Sequence, residues 1–230
     1  MDAKKWIAFI LRVLTLVGVS VYYLVTVLIR GEVFSYAPIV AIPLGLVWLQ
    51  FCLETVSKLL GSRLAPIGAT KHLSRNYVPT GRSKPSRYDW RKTFGVTCMW
   101  GIAVVFFGVG KFTGFLDEGL LVLAFLSLAT LDSLCVRFFC PFRVFVMKNK
   151  CCTTCRIYNW DGLMVASPLY FIFNVWSWIL IGLCLVLFVW WEIAFKLHPE
   201  RFSDETNAKL RCSECKNDAC PRKIKHTIID

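Results

Sequence analysis

The sequence predicts an all-α, polytopic integral membrane protein of about five transmembrane helices, with a cysteine-rich loop and a cysteine-rich C-terminal tail. Three observations carry that expectation. Of the 230 residues, 56% are hydrophobic and 18% charged, against about 25% charged in soluble domains. Mean hydropathy is +0.55. Five stretches reach the ~20 mostly apolar residues that a bilayer-spanning helix needs.

Taken in order, the first stretch is Trp6–Ile29, with Arg12 as its one charge. Its apolar core exceeds the ~7–15 residues of a secretory signal, and no small-residue cleavage site follows. It is expected to be retained as a span, with Arg12 snorkelling or paired. The second is Tyr36–Leu60, carrying Glu54 and Lys58 four apart, a favourable helical pair. The third is Phe94–Gly110 and the fourth Gly119–Val136, with Asp132 near its end. The fifth, Ser167–Phe195, is read as one long helix, with Asn174 hydrogen-bonding between helices. The resulting segments are 1–60, a first membrane hairpin; 61–93, a basic loop; 94–136, a second hairpin; 137–166, a cysteine-rich loop; 167–195, the fifth helix; and 196–230, the tail.

Orientation follows from loop charge. Residues 61–92 hold eight basic side chains against Asp89, and residues 137–161 hold five against Asp161. The turn at 30–35 is neutral, and that at 111–119 carries Asp117 and Glu118. Both basic loops and the N-terminus are expected in the cytoplasm, which places the protein in the plasma (inner) membrane. The Pro- and Gly-containing loop at 61–92 is expected to be irregular and held to anionic lipids. The net charge of +12 thus has a membrane partner and requires no nucleic acid. Trp6, Trp90 and Trp160 are read as anchors at the cytoplasmic interface, and Trp190 and Trp191 as anchors at the far one. Five crossings would put the tail on the far side.

Three of the eleven cysteines, Cys52, Cys98 and Cys184, fall inside spans and read as packing residues. The other eight form two groups: Cys135, Cys140, Cys151, Cys152 and Cys155 in the loop, and Cys212, Cys215 and Cys220 in the tail. Cytosolic thiols stay reduced, so clustered ones point to metal ligation or redox work rather than to bridges. Cys152 and Cys155 are spaced to hold one metal from one turn. Cys140 and Cys220 each precede a proline, which lacks an N–H and turns the chain away from a ligand site. Arg143, Lys148, Lys150 and Arg156 favour thiolate. Soft thiolate sites suit iron–sulfur or zinc, and this irregular spacing favours an iron–sulfur cluster, with structural zinc as the alternative. Eight thiolates would complete two four-cysteine sites, provided that the tail lay beside the loop. A thiol–disulfide relay through Cys152 and Cys155 and the tail trio is the third reading.

The run Arg137-Phe-Phe-Cys140-Pro-Phe, with Cys135 before it, resembles the Cys-Pro loops of membrane-bound ferredoxin-like proteins of anaerobic respiration. The resemblance covers about residues 135–160. It departs in its Cys-x4-Cys-Pro spacing and in lacking a following ferredoxin domain. It implies [4Fe–4S] clusters exchanging electrons at the cytoplasmic membrane face with a redox partner protein or a quinone.

Asp132 is an ionisable group in a span and so a functional candidate; the plainer reading pairs it with Arg137 or Arg143. Asp161 is expected to pair with Arg156. His72, His198 and His226 stand apart from the cysteine groups. No span holds a histidine to bind haem, and no Walker loop, Ser-His-Asp spacing or HExxH occurs.

Overall fold

The computed structural model describes residues 3–62, 65, 67–82, 90–137, 140–148 and 155–211. Cys151, Cys152, Cys212, Cys215 and Cys220 lie outside the described residues. The described chain is helical and has no strand, only an isolated antiparallel bridge between Pro79 and Asn207. Five helices are long and apolar enough to cross a membrane.

α1 (Ala3–Tyr23) continues through a π-helical turn, Leu24–Ile29. Arg12, Thr15, Val19, Tyr23 and Thr26 are buried, whereas Ile7, Ile10, Leu14, Val17, Val21, Leu24 and Leu28 are exposed. Both sets recur at three- and four-residue spacing, so they occupy opposite faces of one helix. The polar stripe faces the protein and the apolar stripe faces outward, the arrangement that a lipid solvent requires.

α2 (Pro38–Leu60) starts with proline in its first turn, where the missing N–H costs nothing, and it tolerates Pro43 one turn later. Gly61 ends it in the left-handed conformation, φ 59°, with its N–H bonded to the Ser57 carbonyl. A Cβ there would fall 2.2 Å from Leu73 Cδ1. A short helix, α3 (Ile67–Thr70), leads through the loop to α4 (Trp90–Phe112). α5 (Glu118–Arg137) begins at Asp117, whose Oδ1 accepts from the Leu120 N–H at 2.7 Å and whose Oδ2 accepts from the Tyr23 hydroxyl at 3.0 Å. These four helices alternate in direction, so the loop at 61–89, the end of α5 and the start of α1 share one face.

The fifth stretch departs from expectation. It is a short helix, α6 (Asp161–Val165), then a 3₁₀ turn, Ser167–Phe171, a break, and α7 (Val175–Leu197). Pro168 sits in the first turn of the 3₁₀ segment, and the Asn174 side chain caps α7 by accepting from the Ser177 N–H at 2.7 Å. Asn174 starts a helix rather than bridging two. The broken backbone is tolerated because it is buried: Ser167, Pro168, Leu169 and Ile172 are nearly inaccessible, as irregular chain at membrane depth must be.

Contacts fix the path of this segment. Asp161 meets Lys58 near the end of α2, at the basic-loop face. Phe171 reaches Phe112 and lies where a Cβ on Gly108 would be 3.0 Å from it, near the far end of α4. Trp176 lies against Trp48, midway along α2, with ring centroids 5.1 Å apart. Trp191 then packs with Val96, back near the start of α4. Residues 161–197 therefore enter from the basic-loop face, turn inside the bundle and return.

The tail follows. Phe202 stacks on His72 of the loop (4.8 Å between centroids), the Ala208 N–H donates to the Val78 carbonyl at 2.8 Å, and Asn207 Nδ2 donates to the Lys71 carbonyl at 3.2 Å. The expectation of a tail on the far side is thus corrected. A re-entrant hairpin does not change sides, and 29 residues suffice for one. Trp191 is corrected with it: fully buried, it donates its indole N–H to the Arg156 carbonyl at 2.8 Å instead of anchoring a far interface.

Candidate functional site: a buried charge network beneath a cysteine-bearing face

Two structures lie one above the other at the basic-loop face. The deeper is a charge network among α1, α2, α5 and α6. Arg12 is almost inaccessible. Its Nη2 lies 3.1 Å from Glu54 Oε2, its Nη1 donates to the Ala129 carbonyl at 3.3 Å and to Ser133 Oγ, and its guanidinium sits 4.3 Å from the Phe51 ring centroid. Lys58, equally buried, lies 2.7 Å from Asp161 Oδ2 and 3.6 Å from Glu54 Oε1. The helical pair of Glu54 and Lys58 thus exists, but the shorter contact of Lys58 is with a residue 103 positions away. Asp161 Oδ1 also accepts from the Gly162 N–H at 2.8 Å, which fixes the start of α6.

Asp161 was expected to pair with Arg156, and the structure corrects this. Lys58 reaches Asp161 from α2, while Arg156 points away to Glu192 of α7. Asp132 stands in the field of Asp161, Lys58, Glu54 and Arg12, but it makes no hydrogen bond or ion pair with any described residue. The side chains of Arg137 and Arg143, its expected partners, lie outside the described residues.

The upper structure is an apolar cluster of Val96, Met147, Cys155, Ile157, Trp160, Trp191 and Phe202. It joins α4, the cysteine loop, α7 and the tail. Glu192 is its polar tie, bound to Arg156 Nη2 and, at 2.8 Å, to the Trp160 indole N–H. Arg156 also lies 3.8 Å from the centroid of the Phe195 ring, a cation–π contact. Trp160, expected at the lipid interface, is buried here because Glu192 gives its N–H a partner inside the protein.

Of the candidate ligands, Cys135 and Cys140 are brought together and hydrogen-bonded to each other. Cys155 is buried in the apolar cluster. Among the described residues, no three His, Cys, Asp or Glu side chains gather as a metal site. Cys52 and Cys184 pack in the membrane core, while Cys98 is exposed on the outer face of α4. The approach of Gly162 to Cys184, 3.1 Å from a Cβ built there, explains a glycine directly after Asp161: α6 and α7 close on each other.

Sequence reasoning missed Glu192, the partnership of Lys58 with Asp161, and the return of the tail. Glu192 had a signal, being the one acid in an apolar run of about 20 residues. The long-range pair had none. Comparison with protein-family models, with curated proteins and with solved structures finds no match to this chain.

Proposed function

We propose that this is a multi-pass protein of the plasma (inner) membrane, with its N-terminus and its cysteine-bearing face in the cytoplasm. We propose further that it holds an iron–sulfur centre on that face and passes electrons there to or from a redox partner protein or quinone. The observation that carries this reading is the return of the tail. Phe202 shares one cluster with Cys155, and Arg211, the residue before Cys212, is tied to the Asp204 carbonyl within the tail fold that grips residues 71–80. The tail thiols therefore leave the fold from the face that carries Cys140 and Cys155.

The chemistry of the donors fits such a centre. Cys140, Cys151, Cys152 and Cys155 from the loop and Cys212, Cys215 and Cys220 from the tail are soft sulfur ligands, suited to iron–sulfur. Cys135, in the last turn of α5, is a hydrogen-bonding neighbour of Cys140 rather than a ligand. The basic loops offset the negative charge of a thiolate-bound cluster. The four alternating helices place every basic loop on one side, in accord with cytoplasmic positive charge.

The test is anaerobic purification of the full chain, followed by iron and acid-labile sulfide analysis and a visible spectrum before and after dithionite. Iron and sulfide in equal amounts, with a spectrum that bleaches on reduction, are expected. A colourless protein holding zinc would replace this reading with a structural metal that fastens loop to tail, and a protein holding neither would end both.

A further inference from the structure

The charge network is unbalanced. Arg12 and Lys58 supply two positive charges; Glu54, Asp161 and Asp132 supply three carboxyl groups. Arg12 is matched by Glu54 and Lys58 by Asp161, at 3.1 and 2.7 Å. Asp132 is left over, in the field of both pairs and bonded to no described residue. An uncompensated charge at membrane depth is costly, and a carboxyl group so placed sheds the cost by taking up a proton.

We propose that Asp132 is an intramembrane proton-binding site, whose carboxyl group holds a proton that it exchanges with water on the basic-loop face. Its surroundings are specific. α1 presents Arg12, α2 presents Glu54 and Lys58, and α6 presents Asp161. Cys184 of α7 faces the Asp161–Lys58 pair, and Cys135 lies one turn further along α5 itself. Each cation is already engaged by a nearer carboxylate, so neither is available to hold Asp132 ionised. Asp132 is partly accessible, unlike Arg12 and Lys58, and only the last turn of α5 separates it from the basic face. The bound group is a proton taken from water; no bond other than O–H forms or breaks. The proposal does not rest on a metal centre and applies equally to the metal-free protein.

Infrared spectroscopy of the full chain in liposomes tests it. At neutral pH the protein is expected to show the carbonyl stretch of a protonated carboxyl group, which moves to lower frequency in heavy water and disappears as pH is raised. Asp132→Asn is expected to abolish that band. Asp132→Glu is expected to keep it at a shifted frequency, and this variant decides the matter if the asparagine form does not fold. The absence of the band in the unmodified protein overturns the proposal. So does a band undiminished in Asp132→Asn, or one at unchanged frequency in Asp132→Glu, because the proton would then sit on Glu54 or Asp161.

Discussion

Single side chains in this molecule are stable only in pairs. Lys58 and Asp161 meet inside the bundle, and desolvation leaves either one costly without the other. Lys58→Met is expected to destabilise the protein by about 3 kcal/mol or more, because Asp161 then stays buried with no cation nearby. Combining it with Asp161→Leu is expected to recover most of that loss. Equilibrium unfolding of the three variants in detergent measures both effects, and a double variant as weak as the single one would show that the pair adds net stability. Glu192→Ala is expected to be the more damaging change at the upper cluster, since Arg156 and the Trp160 N–H lose one shared acceptor. Trp160 emission, read in a protein whose other tryptophans are unchanged, is expected to shift to the red.

At the scale of elements, the re-entrant hairpin is held by close contact rather than by charge alone. Gly108 faces Phe171, with no room for a larger side chain. Gly108→Leu is expected to displace the 3₁₀ turn from α4 and to cost about 1–3 kcal/mol, the range for overpacking. Unfolding measurements check the cost, and faster labelling of Cys184 by a membrane-permeant thiol reagent would report the opening. The elements were unequally legible in the sequence. α1, α2, α4 and α5 follow from hydropathy, because length and composition alone decide whether a helix spans. The break in the fifth stretch was written there too, in Pro168 and Asn174, but its apolar composition matches that of an unbroken span. Hydropathy reports what surrounds a segment, not its direction, so a hairpin that turns within the bundle reads as one long helix. Arg12 and the Glu54–Lys58 pair were visible as charges in spans. Their convergence with Asp161 was not, since it joins residues more than a hundred positions apart through the fold.

For the molecule as a whole, the consequence is sidedness. Four alternating helices and a hairpin leave both chain ends and both basic loops on one face, with only the turns at 30–37 and 113–117 opposite. Reporter fusions check this: a fusion at residue 230 is expected to report the same side as one in the loop at 81–89, and the opposite side from one at 113–117. A tail reporter on the side of residues 113–117 would contradict the hairpin and remove the support for a shared cysteine face. The basic loops revealed this sidedness in the sequence, whereas the position of the tail depended on the parity of crossings, which the hairpin changes.

The contact between Lys58 and Asp161 also imposes an order on synthesis. When α2 leaves the ribosome, its lysine has Glu54 within reach, but the aspartate that completes its surroundings is a hundred residues from being made. Until then the nascent helices carry an incompletely neutralised ammonium group into lipid. The early intermediate must therefore stay near water or an insertion factor, and arrival of α6 is the event that lets the bundle close.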